Sequence, residues 1–470
     1  MEFSFAMKRF PRLRRFLFRS VIALIVLIGV YWIFENWRGA KAWEEAKARI
    51  DEAGVSIVRA DYAGPEIPEE DDLLKNLIFI AEFDHEREDA QKGWRMLFAE
   101  KRFGSFSSPG RGKLGNYRDY FETVMTEDEA RQRMAEEASA FEDRLSALAE
   151  VILEKPVYQV FARGATDLAI WESDLHVVGV QGLIEGYQSS ALMAIRSGNS
   201  TLAVERIQTL DRVIKISNAP SLVDALVAQV GVKIMTTIIW EGLQREVWCL
   251  EQIERLKVML TDHDLKQPYL KSLKHELAWG LESLDSLDEA EVQLEEMGGG
   301  VAGGIAAWLG FGGPQGWQDR RKALLTNTYL DLIEIVESGK LRETEELLAE
   351  LPKNQFSPMA VARMAAQAGI FSSERYAESC AIKRIALLAL ECERERLVSG
   401  SYPKSLNDLE LSFPISDMTD PDERDLQYEL GPNGRPQIWS AHEAEVITEE
   451  DGWDGRDGPQ LRWQFWSENE

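Results

Sequence analysis

The sequence predicts a mainly α-helical protein with one N-terminal membrane helix, a large helical bundle or solenoid-like array of helix pairs, and a small C-terminal α+β module with a short antiparallel sheet. Three observations support this prediction. They are an uncharged apolar run near the N-terminus, apolar residues at helical spacing from about 126 to 398, and Pro-rich, alternating sequence after Gly400. Hydrophobic residues make up 45% of the 470 residues and charged residues 28%, as in a folded chain of several domains.

The charge balance narrows the classes of partner. The formal net charge is −27 at pH 7, from 53 basic and 80 acidic residues. Because phosphate binding needs a basic face, this composition argues against a nucleic-acid binder. Basic residues gather instead at the N-terminus, where residues 1–19 hold six Lys or Arg and one acid.

The predicted membrane helix covers residues 20–37 and follows the basic tail, residues 1–19. The fifteen residues from Ser20 to Phe34 carry no charge, and a bilayer core needs about 20 apolar residues. Since basic tails stay in the cytoplasm, we expect a single-pass protein with the bulk of its chain outside the cytoplasm. The membrane is then its first partner.

Two alternatives to an uncleaved anchor stay open from the sequence. Ala40-Lys41-Ala42 fits the small-x-small pattern of a signal-peptide cleavage site, although Glu35 and Arg38 crowd the approach to it. An apolar run of this length also occurs as a buried core helix.

The remaining chain divides at Gly, Pro and composition breaks. A juxtamembrane helix is predicted over 40–53, with Gly54 as its stop, and Ser221 is predicted to cap a long apolar helix. No convincing 34-residue repeat is present. The predicted segments are a juxtamembrane helix and irregular linker (38–125), a helical domain (126–372) containing a Gly-rich loop (298–316), and a long helix with the β module (373–470). Within them, helices are predicted over 183–196, 201–216, 222–243, 268–287, 318–338, 341–351 and 373–398.

The Gly-rich loop 298–316 holds nine glycines interleaved with apolar residues. The simpler interpretation is a flexible loop, and the alternative is an apolar finger that touches the membrane or a partner. Gly298-x-Gly300-x-x-Gly303 matches the dinucleotide-binding pattern, but it follows a helical acidic stretch instead of a strand. We therefore assign it no cofactor.

Motifs for catalysis are weak. His275-Glu276 begins like a zinc-protease helix, but Trp279 occupies the position of the second His. The run Asp262-His263-Asp264 lies between two helices, where helix capping is the expected role of its Asp residues. We predict no catalytic residues. Core packing is expected for Trp171, Trp240, Trp248 and Trp279, and free buried thiols for Cys249, Cys380 and Cys392.

One acidic loop is a candidate cation site. Asp451, Asp454 and Asp457 alternate with turn-forming glycines, and Ca²⁺ prefers such oxygen ligands on flexible loops. Their spacing is not that of an EF-hand, so a solvated acidic turn is the alternative. No other cofactor is expected.

After Gly400 the sequence predicts a β-hairpin, Leu426–Leu430 with Gln437–Ser440, and a third strand over Leu461–Phe465. The run Gly400-Ser-Tyr402-Pro403-Lys-Ser-Leu406-Asn-Asp-Leu409, followed by the Asp420-Pro421 turn, resembles the segment after the helix in major pseudopilins of type II secretion. That resemblance implies a short sheet and a calcium loop, which falls here on Asp451, Asp454 and Asp457. The chain lacks that family's prepilin cleavage sequence.

The chain as a whole resembles single-pass bacterial envelope proteins with a helical ectodomain. The resemblance lies in the order of segments, in the juxtamembrane run Trp37–Glu44 and in Ile239-Trp240-Glu241-Gly242-Leu243. It implies the bacterial cytoplasmic membrane and brings no assigned activity. We expect a non-catalytic structural or protein-interaction role with an envelope partner. The alternatives are an accessory of type II secretion and a hydrolase without a recognisable motif.

Overall fold

A computed structural model gives the structure of the protein, which is mainly helical as predicted. A small antiparallel sheet lies near the C-terminus. The structure describes residues 11–62, 145–154, 180–216 except 181, 182 and 185, 220–296, 314–351 except 342, 359–409, 411, 425–439 except 432 and 433, and 462–464.

Eight helices have the bounds given below in this part of the chain, and residues 145–154 and 186–196 are also helical. The bounds are α1 (Pro11–Ala53), α2 (Ser200–Ile216), α3 (Leu222–Gln244), α4 (Leu250–Thr261), α5 (Lys266–Glu296), α6 (Gln315–Ser338), α7 (Glu343–Glu350) and α8 (Ala360–Ser399).

The chain forms two compact units, each assembled from separate stretches. Unit 1 is Met1–Arg59, Glu276–Glu334 and Glu346–Ile370, and unit 2 is Ala60–His275, Ile335–Glu345 and Phe371–Glu470.

In unit 1, α1 is one continuous helix of 43 residues, so the predicted membrane and juxtamembrane helices are joined without a break. It ends at Ala53, as predicted, because Gly54 takes the left-handed conformation with φ 62°. The amide of Val55 then donates to the carbonyl of Ile50, one of the last-turn carbonyls that have no hydrogen-bond partner within the helix. Further back, Arg49 ties α1 to α6 by donating to Asn327 at 2.9 Å and to Asp331 at 2.6 Å.

In unit 2, the core forms around α3, which packs against α2. The predicted cap is confirmed, since the Ser221 side chain accepts a hydrogen bond from the amide of Asp224 at 3.1 Å. Close packing of the two helices depends on Gly231, where an added Cβ would lie 2.6 Å from Ile214. The fully buried side chains of this core include Ile207, Leu210, Val232, Ile238 and Leu256.

Two helices are longer than the sequence predicts. The helix α5 continues through the acidic residues up to Glu296, and α8 begins at Ala360 instead of residue 373. The first turns of α8 are Ala-rich and favour a helix. Gly369 lies in this extension, and its missing side chain lets Tyr329 and Leu332 approach within unit 1.

The C-terminal module follows where Gly400 ends α8 with φ 83°. The strands β1 (Gln427–Leu430), β2 (Pro436–Trp439) and β3 (Arg462–Gln464) form one antiparallel sheet in that order. Tyr428 pairs with Ile438, and Ile438 pairs with Trp463. The predicted hairpin and third strand are therefore confirmed.

Candidate functional site

The first half of α1 is an exposed apolar surface. Every large apolar side chain from Phe18 to Phe34 is exposed, with Phe34 at 51%. The helix is long and apolar enough to cross a membrane. Only 6% of its apolar 18-residue stretch, which we call its apolar window, is buried in the protein. Signal anchors and signal sequences share this length and apolar character.

A second helix, α3, is shorter but is also long and apolar enough to cross a membrane, and its surroundings are different. Its apolar window is 67% buried within the protein. The helix also carries Asp224, Lys233 and Glu241, each with an ionic or hydrogen-bond partner. A core helix of a folded domain has these properties.

One face of α1 becomes buried after Phe34, at Glu35, Gly39, Ala46 and Ile50, while residues 36–38 stay exposed. Glu35 is only 5% exposed, because it packs against the start of α6. Its carboxylate receives Arg320 of α6 at 3.1 Å, and Arg38 of its own helix lies 3.6 Å away. The side-chain oxygen of Asn36 accepts a hydrogen bond from the amide of Gly316 at 3.0 Å. We call this contact between α1 and α6 the helix junction: Glu35, Asn36, Gly39, Gly316 and Arg320.

Two glycines allow the backbones to meet at the helix junction. A Cβ added to Gly39 would collide with the backbone of Gly316, and a Cβ on Gly316 would collide with the carbonyl of Glu35. Since backbone cannot yield as a side chain can, both positions require glycine. Within unit 1, α1 is thus fixed to α6 by an ion pair, a hydrogen bond from a backbone amide to the Asn36 side chain and a direct backbone contact.

The predicted calcium ligands Asp451, Asp454 and Asp457 lie outside the described residues, as does Gly298-x-Gly300-x-x-Gly303. The calcium site therefore stays a prediction. Of the Gly-rich loop 298–316, only residues 314–316 are described, and Gly316 belongs to the helix junction. In the part of the chain that the structure describes, no three His, Cys, Asp or Glu side chains are grouped to hold a metal ion.

The capping role predicted for Asp264 is present. Its side chain accepts hydrogen bonds from the amides of Lys266 and Gln267 at the start of α5. His275 is buried in unit 2 and meets the ring of Tyr62 edge-on at 6.5 Å. This contact is that of a core side chain.

Sequence reasoning missed a buried pair centred on His263. Its Nε2 lies 2.5 Å from Oδ1 of Asp211 on α2, and Lys215 donates to the other carboxylate oxygen at 2.9 Å. Burial raises the pKa of Asp211, but His263 and Lys215 more than offset it, so the pKa lies below its usual value. The pair joins α2 to the turn before α5. Because His263 is only 4% exposed, a substrate would have little access to its imidazole. The two partners are 52 positions apart, which no local pattern reveals.

A second buried ionic group joins α4 to α8. Lys257 lies 2.7 Å from Glu391, and both side chains are buried. Arg394 reaches the same carboxylate at 2.7 Å. Next to it, burial and the flanking carboxylates raise the pKa of the Cys392 thiol. The thiol is therefore held in its neutral, unreactive form.

Two predictions about single residue types need correction. Trp240 and Trp248 are buried as predicted, but Trp279 is 45% exposed on α5, so its prediction as a core residue is wrong; Trp171 lies outside the described residues. All three cysteines are free as predicted, but only Cys392 is buried; Cys380 is half-buried, and Cys249, the N-cap residue of α4, is exposed. Apolar context along the sequence does not specify which side of a helix faces the core.

Comparison with protein-family models, with characterised proteins and with solved structures finds no match.

Proposed function

We propose that the protein is a single-pass, uncleaved envelope protein whose helical bulk lies outside the cytoplasm and has a non-catalytic structural or protein-interaction role. The single observation that carries the anchor is the change of exposure between Phe34 and Glu35. Lipid can cover an exposed run of apolar side chains, whereas a buried carboxylate held by two arginines belongs to a folded protein.

The helix junction supports an anchor over a cleaved signal peptide. Glu35, Asn36 and Gly39 precede the predicted cleavage site at Ala40–Ala42 and contribute contacts to unit 1. Cleavage would remove these contacts and leave Arg320 without its carboxylate. Ala40–Ala42 also lies inside α1, a conformation unlike the extended one in which peptidases bind their substrates.

Exposed apolar side chains support a protein-interaction role. Trp279 is half exposed on α5, and tryptophan is enriched at the energetic centres of protein interfaces. On α3, Val223 and Val230 are exposed and lie two turns apart on one face. In contrast, the buried ions of unit 2 pair with one another, which is the pattern of structural ion pairs.

Fractionation and a topology reporter test the anchor. The full chain is expressed with a C-terminal alkaline phosphatase, which folds only outside the cytoplasm. We expect a carbonate-resistant membrane protein of full length with an active reporter. A soluble product beginning near Trp43, or an inactive reporter on an intact membrane protein, would contradict the proposal.

An accessory role in type II secretion is the second candidate, and it is favoured by the order of elements at the C-terminus. A long helix, the Tyr402-Pro403 turn and a three-stranded antiparallel sheet follow one another. A deletion strain distinguishes this role from the first. A loss of secreted substrates, restored by the wild-type chain, would support it, and normal secretion would exclude it.

A further inference from the structure

Basic side chains gather where the exposed apolar part of α1 ends. Arg38 and Lys41 follow Phe34 by one and two helical turns, and their side chains are 52% and 63% exposed. Arg320 of α6 reaches the same level through its contact with Glu35. We call these three residues the basic collar: Arg38, Lys41 and Arg320.

The charges within the basic collar do not cancel. Two guanidinium groups share the single carboxylate of Glu35, so one positive charge remains at the helix junction. Lys41 is near Glu45, at 3.7 Å, but both side chains are largely exposed. An exposed pair of this kind is weak, and Lys41 can exchange it for another anion at little cost.

The rest of the chain makes this concentration of positive charge informative. The protein carries a net charge of −27, so most of its surface repels an anionic membrane. Besides the basic tail at residues 1–19, a local cluster of cations at the other end of the apolar run is therefore a part of the molecule that an anionic surface can approach.

The position of the basic collar along α1 matches the depth of lipid phosphates. With a rise of 1.5 Å per residue, Arg38 lies about 6 Å and Lys41 about 10 Å beyond Phe34. A headgroup layer is about 5–7 Å thick, and a lysine side chain can bend back toward it. Trp37, exposed at the same level, has the position of an interfacial aromatic residue.

We propose that the basic collar binds the phosphate groups of anionic lipids in the leaflet where α1 leaves the membrane. Arg38 and Arg320 offer planar forks that fit phosphate oxygens, and Lys41 adds a flexible point charge. The proposal rests on the proposed function, because it requires α1 to span a bilayer. Bound lipid then holds the helix junction at the membrane surface.

The test uses the full-length protein in a neutral detergent. Lipid retention is measured by native mass spectrometry during titration with phosphatidylglycerol or with phosphatidylcholine, at low and at high salt. We expect the wild type to prefer phosphatidylglycerol, and R38Q/K41Q to lose roughly 25-fold of that preference, at about fivefold for each of the two cations. High salt should weaken the preference of the wild type.

Three further samples make the result specific. K340Q/R375Q removes two exposed cations elsewhere and should keep the wild-type preference. R38K/K41R keeps both charges and should retain most of it. Inorganic phosphate added at a concentration equal to that of the lipid should not displace the lipid. Equal loss in both glutamine variants, no preference in the wild type, or full displacement by phosphate would overturn the proposal.

Fractionation of the same samples separates the two proposals. If the wild type resists carbonate extraction but shows no lipid preference, only the basic collar proposal fails. If the wild type is soluble, the proposed function itself fails.

Discussion

The helices α1 and α3 are alike in sequence and opposite in environment. Both are long and apolar enough to cross a membrane, yet the apolar window of α1 is 6% buried and that of α3 is 67% buried. The difference lies in their polar residues. From Ser20 to Phe34 α1 has no charged group that needs a partner, whereas α3 carries Asp224, Lys233 and Glu241, each paired within unit 2. Apolar length therefore permits either environment, and the placement of polar groups decides between them.

Charges introduced into the apolar run of α1 should change the location of the protein, which is the largest effect that we expect. Leu24→Arg with Leu27→Arg places two charges at the centre of the apolar run, at a cost of about 3 kcal/mol each for a membrane helix. We expect the full chain to move from the carbonate-resistant membrane fraction to the soluble fraction. Val230→Arg on the exposed face of α3 is the control and should leave the fractionation unchanged. Membrane retention of the double variant would mean that lipid does not surround these residues.

The paired charge of α3 should be needed for stability. Glu241 lies 2.7 Å from Arg245 and 3.5 Å from Arg196, whose pKa burial lowers to about 10 against the opposing effect of Glu241. Glu241→Gln leaves Arg196 charged and buried without its carboxylate, which we expect to cost about 3 kcal/mol in the free energy of unfolding. Denaturant unfolding in detergent measures this cost. The exposed Glu251→Gln should change it little, and equal stability of both variants would contradict the assigned pairing.

Acid should weaken the core of unit 2 through Asp211. Its folded-state pKa is lower than the usual 3.8, so the ionised carboxylate stabilises the fold above that value and the contribution is lost as the pH falls through the folded-state pKa. Asp211→Asn should therefore be less stable than the wild type at pH 7, by about 2–3 kcal/mol.

Melting temperatures at pH 7 and near pH 3 test this sign. We expect the gap between the wild type and Asp211→Asn to narrow as the pH falls below 3.8, because the unfolded wild type then binds a proton that the folded state, with its lowered pKa, releases. A constant gap would show that the charge of Asp211 is not what stabilises the pair with His263.

A matched pair of glycine substitutions gives a smaller contrast between the two helices. A Cβ on Gly242 of α3 would collide with the indole of Trp248, whereas a Cβ on Gly29 of α1 meets no atom within 4 Å. Gly242→Ala should lower stability by about 1–3 kcal/mol despite the better helix propensity of alanine. Gly29→Ala should leave unfolding of the two units unchanged. Thermal unfolding followed by circular dichroism measures both, and an unchanged melting temperature for Gly242→Ala would show that Trp248 can move aside.

Local patterns were sufficient for much of the fold because capping and turns depend on neighbouring residues. Ser221 as a helix cap, Gly54 as a stop and the β1–β2 hairpin follow from such short-range chemistry. The extra length of α8 and the exposure of Trp279 did not follow, since both depend on what packs against the helix. For the same reason the pair of Asp211 with His263 could not be predicted.

The sequence by itself determined that an uncharged apolar helix follows a basic tail, and it determined the helical class of most of the chain. Both depend on composition and periodicity along a continuous segment. Only the tertiary structure decided where α1 begins to pack against α6. That point is the helix junction, where Glu35 meets Arg320 and Gly39 meets Gly316 across about 280 positions. Such contacts arise from packing in three dimensions, so no pattern of neighbouring residues encodes them.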